Sequence, residues 1–481
     1  MAVQKFLGYA PDADPTTPGV ITDCSMLEPS TQGMRGAPSA AATEYSALPA
    51  ACIGATLVKK LDGSQRLFAG TQTHLYEAAS GWTDRSDATY TASGDARWEF
   101  RQFGNVTIAQ NGADEPREST SGAFAANTSI PIAKLIETAS GFLVCANITD
   151  ASYAYSDAWW CSALYDYSDF TPSIATQSAR ARLLDTPGPI NALRAVGGDL
   201  VAFKDTSMYL GRYVGPDVIW SWQQVPGEVG AYSQGGVVSD GVALYWWGGD
   251  DFYMFDGSRP QPIGAAVRRW FARECAEEYR YKMLGSFDRA RGLVRFWYVP
   301  AGGSSVSGCL VYEPRSGRWG RADRTIEATV EYVSSPITYD SPGVLTGVTY
   351  DSTEFTQSYD SPFWLSATQS PAVFDDAHTL RTLSGICSAS SLTTGDVGDD
   401  DTYSLLRRVR ARYSTAPTTA SLTAYHKAGA GDALTQGETV DADDGKFDVL
   451  QSARWHRLKF NWTGDVEVSG LNADMQPEGE R

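Results

Sequence analysis

Residues 97–112 read RWEFRQFGNVTIAQNG, and this stretch decides the fold class. Apolar and polar residues alternate along it until it closes on Asn111 and Gly112. A period of two residues is typical of a strand with one buried face, and an Asn-Gly pair favours a tight turn. Together with the similar segment GWTD at residues 81–84, the stretch predicts a β-hairpin unit.

Variants of this unit recur along most of the chain. Six strongly apolar segments repeat the strand signal, and one residue in each serves as a marker: Ala69, Ala109, Val144, Ala202, Leu244 and Arg295. Successive markers are 40, 35, 58, 42 and 51 residues apart, which scatters around the roughly 40 to 50 residues of a four-stranded propeller blade. We therefore predict an all-β protein built on a β-propeller. A β-sandwich of the same strands is the alternative.

Other patterns fit repeated sheets. Aromatic-rich strands run into tight polar turns, as in CLVYEPRSGRW at residues 309–319, where the Trp can pack between blades. One amphipathic helix is predicted over residues 265–278, and we expect it to cap or link blades. Its apolar face carries Val267, Trp270, Phe271 and Cys275. Three Tyr-Asp-Ser turn units, which begin at Tyr339, Tyr350 and Tyr359, predict the last blade or blades.

Composition divides the chain into three predicted regions. Residues 1–50 are rich in Pro, Ala and Ser and form an N-terminal extended arm, either a loosely ordered leader or a segment packed over its own domain or a neighbouring subunit. Apolar anchors at Val20, Ile21, Met26 and Leu27 favour packing. Residues 51–395 form the β-propeller, and residues 396–481 form a small C-terminal β-sandwich. In that module Arg408, Arg410 and Arg412 predict a solvated strand face or a docking edge.

Charge and cysteine content narrow the function. The chain has 57 acidic and 39 basic residues, for a formal net charge of −18, which disfavours sequence-directed DNA binding because the chain would repel phosphates. The seven cysteines form no Cys-x-x-Cys pair and predict buried free thiols in a reducing compartment. No run of 18 apolar residues and no N-terminal signal pattern is present, so we expect a cytoplasmic site of synthesis and no membrane-spanning segment.

Motifs of chemistry were sought. His-Glu-x-x-His, P-loop and Gly-x-Ser-x-Gly patterns are missing, and we expect His74, His378, His426 and His456 to lie apart from one another. A carboxylate pair, Asp250 or Asp251 with Glu313, would suit glycoside hydrolysis if the two acids met across a cleft. We predict solvated turns rather than calcium sites at two acidic runs, namely Asp399, Asp400 and Asp401, and Asp441, Asp443 and Asp444.

The sequence therefore predicts no enzyme activity, and no catalytic residue, cofactor site or metal site. Large aromatic side chains are expected in the core rather than at a ligand. These are Trp82, Trp98, Phe103, Trp246, Trp297 and Trp319.

Several stretches resemble one family. GWTDRS at residues 81–86, the hairpin described above and AQNGADEP at residues 109–116 are similar to the tail tubular or nozzle β-propeller proteins of short-tailed bacteriophages. The leader segments TPGVITDC and PSTQGMRGAPS, and the C-terminal FD and RWHR, are similar to the same group. They lie at residues 17–24, 29–39, 447–448 and 454–457.

The resemblance implies a structural virion protein. It implies a homo-oligomer, typically a hexameric ring, in the virion tail beneath the portal and adaptor, assembled in the host cytoplasm and serving as a mount for tail fibres or tailspikes. Double-stranded DNA would pass through such a ring during genome ejection without sequence-specific binding. A tail-associated propeller that binds or hydrolyses host glycan, and a cellular propeller that acts as an interaction hub, are the alternatives.

Overall fold

The computed structural model describes residues 4–93, 95–333 and 369–479. In this part the regular secondary structure is almost entirely β-strand, and the predicted all-β propeller class is confirmed. The Tyr-Asp-Ser units that begin at Tyr339, Tyr350 and Tyr359 lie outside the described residues.

The N-terminal segment contributes six strands: β1 (Gln4–Lys5), β2 (Gly8–Tyr9), β3 (Val20–Ser25), β4 (Leu27–Ser30), β5 (Gly33–Gly36) and β6 (Ser39–Ala42). Blades one to three follow as β7 (Gly54–Lys59), β8 (Gln65–Gly70), β9 (Leu75–Ala78), β10 (Trp82–Asp84), β11 (Glu99–Phe103), β12 (Val106–Gln110), β13 (Arg117–Ser119), β14 (Ala125–Ala126), β15 (Ala133–Ala139), β16 (Phe142–Ile148), β17 (Ala158–Cys161) and β18 (Ala179–Arg182). Blades four and five are β19 (Ala192–Val196), β20 (Asp199–Phe203), β21 (Met208–Gly215), β22 (Ile219–Gln224), β23 (Val238–Ser239), β24 (Leu244–Trp247), β25 (Phe252–Phe255) and β26 (Gln261–Pro262).

Helix α1 (Arg268–Glu274) and a 3-10 helix (Glu277–Lys282) then lead into the sixth blade, which contains β27 (Leu284–Asp288), β28 (Leu293–Tyr298), β29 (Gly308–Glu313) and β30 (Arg318–Arg321). The seventh blade contains β31 (Ala328–Val333), β32 (Gln369–Phe374) and β33 (Leu380–Gly385). The last strands are β34 (Ala389–Gly398), β35 (Tyr403–Thr415), β36 (Thr419–Lys427), β37 (Thr435–Asp441), β38 (Phe447–Ala453), β39 (Trp455–Thr463) and β40 (Glu467–Gly479).

Seven four-stranded antiparallel blades stand side by side in the described residues. Their first strands line the propeller axis: β7 packs against β11 and β31, β11 against β15, β15 against β19, and β27 against β23 and β31. Each of the six sequence markers lies on the second strand of a successive blade, from β8 to β28. The marker spacing therefore reports one blade per repeat, and its scatter reflects loops of unequal length between strands.

The stretch at residues 97–112 opens the second blade. It forms the β11 and β12 hairpin, in which Phe103 is paired with Val106 across a turn at Gly104, whose φ is 58°. The GWTD segment belongs to the preceding blade as β10, because the chain crosses between blades in the intervening turns. The predicted unit thus spans a blade junction.

The helical link is shorter than predicted. Helix α1 spans only seven residues and is followed by the 3-10 helix, since the backbone at Cys275 turns extended. The predicted apolar face is nevertheless inward: Val267 and Phe271 are fully buried. The segment links blade five to blade six, as expected.

The N-terminal segment packs on its own chain. Strand β6 pairs with β33 and becomes the outermost strand of the seventh blade, so the propeller is closed by residues from both ends of the sequence. The β4 and β5 hairpin joins the outer strand of blade six, β30, to β40 of the C-terminal module. The result is one continuous ten-stranded sheet that runs from blade six into the sandwich.

The C-terminal module is a two-sheet sandwich. One sheet contains β5, β40, β35 and β38, and the other has the order β2, β3, β34, β39, β36 and β37. Strand β34 runs across the predicted boundary at residue 396, and strands from the first fifty residues belong to both sheets. On β39 the predicted alternation holds, because His456, Leu458, Phe460 and Trp462 all face the core.

A single hydrophobic core connects the sandwich to blades five and six. Phe252 and Trp319, from neighbouring blades, have ring centroids 4.9 Å apart, and Tyr9 of the N-terminal segment meets Trp270 of helix α1 edge to face at 5.4 Å. The same cluster extends to Phe460 in the sandwich. Four of the six predicted core aromatics are buried, namely Trp98, Trp246, Trp297 and Trp319.

Trp82 and Phe103 are partly buried, and each packs against a hydrophobic core cluster from its edge. Trp82 lies on the outermost strand of its blade, where its indole N–H donates to the Ser46 carbonyl. Phe103 lies at the turn end of β11 and packs on Tyr167.

A buried ionic cluster fixes the N-terminal hairpin to blade six. Glu28 on β4 and Arg295 on β28 are each 1% exposed, and the Glu28 carboxylate lies 2.5 Å from Arg295 Nη2 and 3.3 Å from Arg291 Nη1. Asp288 takes a second side of Arg295 at 3.3 Å. Burial alone lowers the pKa of Arg295, but Glu28 and Asp288 reverse this and raise it. The guanidinium therefore stays charged inside the protein.

Removing the Glu28 charge is expected to destabilise the whole fold. Glu28→Gln leaves Asp288 as the one carboxylate partner of the buried Arg295, and removing one partner from a buried ion pair costs about 3–5 kcal/mol. The free energy of unfolding from urea titration measures the loss. The control is Glu277→Gln, which breaks a pair whose carboxylate side chain is 81% exposed and should change stability by about 1 kcal/mol or less. Equal effects of the two substitutions would contradict this assignment.

Candidate functional site in the propeller channel

A large cavity lies on the propeller axis in the part of the chain that the structure describes. It has a volume of about 800 Å³ and is lined by residues from all seven blades, at the ends where the inner strands begin. We call it the first chamber. A second chamber of about 530 Å³ lies further along the axis, where the inner strands end.

The two chambers meet at one level of the axis, which we call the waist. Thr56, Arg101, Arg194, Gly285 and Thr329 line both cavities and therefore mark the level at which the chambers meet. Arg101 lies on the inner strand of blade two and Arg194 on that of blade four. Long charged side chains thus extend into the axis at this level.

Arg101 is held by carboxylates at the waist. Its Nε and Nη2 donate to the two oxygens of Glu137 on blade three, at 2.7 and 3.0 Å, and Glu99 lies 3.5 Å from Nη1. Such a two-point pairing fixes both side chains in orientation. Burial lowers the pKa of Arg101, but Glu137 and Glu99 raise it overall. The ion pair between Arg101 and Glu137 links blade two to blade three.

Arg194 and Arg97 are held differently, by backbone carbonyls. Arg194 donates from Nη2 to Gln234 at 2.6 Å and from Nε to Val237 at 3.1 Å, while Arg97 Nη1 donates to Glu327 at 2.7 Å. Among the described residues, no carboxylate oxygen lies within 4.0 Å of either guanidinium. Burial lowers the pKa of both groups, and the like charge of Arg101 lowers that of Arg194 further. Both carry charge that the protein does not neutralise directly.

Neutral polar groups complete the wall of the first chamber. The Gln234 side chain bridges the backbone of Leu193, accepting from its N–H at 2.6 Å and donating to its carbonyl at 2.8 Å. Asn147 adopts a left-handed backbone, with φ of 54°, and donates to the Ile190 carbonyl. Strain of this kind in a non-glycine residue clusters at functional sites. Sequence reasoning missed this wall, because its residues come from many separate segments between Ile53 and Thr329 with no shared motif.

The proposed glycosidase carboxylates have structural partners of their own. Asp251 is buried and accepts from the Gly264 N–H at 2.8 Å and from Arg268 at 3.1 Å. Asp250 accepts from the Tyr253 hydroxyl, and Glu313 accepts from Ser316 within the turn between β29 and β30. These contacts account for each acid locally.

The histidines are not all separate. His426 and His456 are directly opposed on strands β36 and β39, so the expectation that the four histidines lie apart is wrong for this pair. Antiparallel register brings distant positions onto one face. His456 is buried and bonds through Nδ1 to Gln451 and through Nε2 to Ser404.

His74 and His378 have other surroundings. His74 Nδ1 lies 2.8 Å from the Thr73 hydroxyl, and His378 Nδ1 lies 2.7 Å from Glu327. Among the residues that the structure describes, no group of three or more His, Cys, Asp or Glu is arranged to hold a metal ion.

Both acidic runs form turns. Asp399 accepts from the backbone of Asp401 and Thr402, while Asp400 accepts from the Trp455 indole. Asp443 closes a turn with Lys446. On β35, Val409 and Ala411 are buried and Arg410 and Arg412 are exposed, while Arg408 is partly exposed and pairs with Asp448 at 2.5 Å. This exposure fits both predicted roles, a solvated face and a docking edge.

Within residues 4–93, 95–333 and 369–479, no helix is both long and apolar enough to span a bilayer.

No protein-family model and no curated protein matches this chain. Similar solved structures include the Neurospora crassa Pan2 WD40 domain, with 8% identity, a TM-score of 0.37 and coverage of 69% of this chain and 94% of that one. Human WBSCR16 has 8% identity, a TM-score of 0.37 and coverage of 68% and 94%. An exo-beta-1,3-galactanase from Phanerochaete chrysosporium has 10% identity, a TM-score of 0.26 and coverage of 92% and 100%. With TM-scores this low, these likenesses support no argument about function.

The cysteines provide a direct test of the core. All seven are buried, and burial raises their pKa values, to about 12 for Cys52, Cys161 and Cys275. A buried thiol at such a pKa forms almost no thiolate at neutral pH. Ellman's reagent should therefore titrate fewer than one thiol per native chain and all seven in denaturant. Rapid labelling of a native thiol would contradict the described packing.

His456 should make the sandwich sensitive to acid. Burial lowers the pKa of His456 below its usual 6.5, so below pH 6.5 the unfolded chain binds a proton that the folded chain resists, and stability falls with decreasing pH. Its contribution is absent above about pH 7, where both states are neutral at this site. We expect His456→Gln to show a shallower loss of unfolding free energy than wild type between about pH 5 and 6.5, by at most about 1.4 kcal/mol per unit.

The control for this substitution is His74→Gln in the first blade. It lies outside the sandwich and shows whether a change in slope is particular to His456. Parallel stability curves for His456→Gln and wild type would show that His456 does not contribute.

Proposed function

We propose that this chain is a structural subunit of the tail of a short-tailed bacteriophage, where copies form a ring, or nozzle, that conducts the genome into the host and mounts other tail parts. The observation that carries the proposal is the ten-stranded sheet that passes from blade six through the N-terminal hairpin into the sandwich. It makes a propeller and a sandwich into one stiff body. A conduit for DNA under pressure needs such stiffness more than it needs a reactive cleft.

The pairing of buried charged groups supports the same proposal. Buried charged side chains pair with one another or with the backbone. Glu28 pairs with Arg295, and Asp396 pairs with Lys427 at 2.8 Å and with Arg457 at 2.7 Å. Buried charges paired in this way fix strands relative to one another. We therefore propose a protein without enzyme activity.

The genome would not travel along the propeller axis. Arg101 and Arg194 reach into that axis at the waist, and their charges interact across it. In the proposed ring, typically of six subunits, DNA would pass through the lumen enclosed between subunits. The portal-adaptor and the fibres or tailspikes would bind the same ring on other faces.

Net charge suits a lumen through which DNA slides. The chain carries a formal −18, and carboxylates along the lumen would keep the duplex from adhering, whereas Lys and Arg would gain affinity through counterion release. A ring structure with a neutral or basic lumen would remove this part of the proposal.

The mass of the native assembly tests the proposed ring. Light scattering on the purified full chain should give a multiple of the 52.0 kDa chain mass, and electron micrographs should show a ring of about six subunits. Addition of the portal-adaptor complex should give a species heavier than either component alone. Immunogold labelling of virions should mark the tail. A stable monomer that stays monomeric with the adaptor and is absent from virions would refute the proposal.

Turnover of host polysaccharide distinguishes the glycan alternative. Incubation of the full chain with host surface polysaccharide should release no reducing ends. Release that persists in a homogeneous preparation would favour a tail-associated hydrolase instead.

Once the ring map identifies the lumen, charge reversal tests the acidic surface. Acid-to-lysine changes on the lumen wall should slow DNA release from triggered virions. This slowing should become smaller as the salt concentration rises. The matched control places the same number of acid-to-lysine changes on the outer face of the ring. Equal slowing by both sets would show that lumen charge does not act.

A further inference from the structure

The first chamber has an unbalanced wall in a strongly acidic protein. Four basic side chains, from Arg97, Arg101, Lys134 and Arg194, line it among the described residues, against two acidic ones, Asp95 and Glu99. The whole chain carries −18. Basic side chains are therefore concentrated in this cavity, although the protein as a whole is acidic.

The acids of the chamber are already engaged. Asp95 accepts from the Tyr281 hydroxyl at 3.1 Å and lies 3.5 Å from Lys282 Nζ, and Glu99 lies near Arg101, which Glu137 also holds. Three basic groups are left. In the described part of the chain, no carboxylate within 4.0 Å pairs with Arg97, Lys134 or Arg194.

The two guanidiniums also retain donors that point to accessible space. Backbone carbonyls use Nη1 of Arg97, and Nε and Nη2 of Arg194. The other guanidinium nitrogens have no acceptor within the described residues, and none of them is sealed from solvent. Because the carbonyl contacts fix each side chain, these free N–H groups are preorganised rather than mobile.

We propose that the first chamber binds a small multivalent organic anion, carrying carboxylate or phosphate groups, between Arg97, Arg194 and Lys134. Guanidinium forks suit both kinds of oxyanion, and charge-assisted hydrogen bonds to them are the strong ones. A cavity of about 800 Å³ falls within the size of small-molecule sites. This activity goes beyond the proposed tail function and does not depend on ring formation.

Burial gives the site its affinity. Desolvation lowers the pKa of Arg97 and Arg194, so each charge lacks part of the solvation it would have in water. An anion entering the chamber replaces that solvation with direct contacts, which are stronger where water is partly excluded. Exposed arginines on the blade rims have no such gain.

Calorimetric titration of the full chain with citrate, and separately with inorganic phosphate, tests the site at constant ionic strength. We expect saturable binding of citrate at one site per chain. Arg194→Gln and Arg97→Gln should each weaken it roughly tenfold to hundredfold, as expected for losing a hydrogen bond to a charged group. Lys134→Gln, at an exposed position where folding is not at risk, should weaken it several-fold.

The matched control is Arg212→Gln, which removes a 56% exposed arginine paired with Asp199 at the rim of blade four, and citrate affinity should stay within about twofold. Absence of saturable citrate and phosphate binding would overturn the proposal, as would full affinity in the Lys134→Gln variant together with either arginine variant. Displacement of citrate by a short DNA duplex, which is too large for the chamber, or by glucose, would also overturn it.

Discussion

The carboxylate of Glu28 is the group on which the joint between propeller and sandwich depends. It lies on β4, the strand of the N-terminal hairpin that pairs with β30 of blade six. There it is buried against Arg295 and Arg291. A buried guanidinium without this partner would be far more costly than either the paired or the solvated state. The hairpin therefore has one register in which the charges are satisfied, and that register places β5 beside β40.

Closure of the molecule follows from the same geometry. The Thr43 hydroxyl donates to the Leu380 carbonyl across 337 positions of sequence, beside the strand pair that completes the seventh blade. Contacts between such distant segments cost loop-closure entropy and slow folding. In return, strands β1 and β40, near the two ends of the chain, are both held within its sheets.

The propeller axis carries the positively charged first chamber. Its waist is lined by a carboxylate-bound arginine, Arg101, and by one held only through carbonyls, Arg194. Blades two and three are thereby locked together, while the chamber beside the waist keeps positive charge. Stiffness and ligand binding are compatible here, because the groups that would bind an anion are already fixed by the blades.

Local pattern determined the fold class. Alternation at residues 97–112 and the markers from Ala69 to Arg295 gave the blades, since a strand with one buried face must repeat apolar residues every second position. The inward face of Val267 and Phe271 followed from helical periodicity in the same way. What only the tertiary structure decided is which distant segments meet: Glu28 with Arg295, His426 with His456, and the seven inner strands that build the channel. Register and ring closure set these contacts, and no local sequence pattern encodes the pairing of residues hundreds of positions apart.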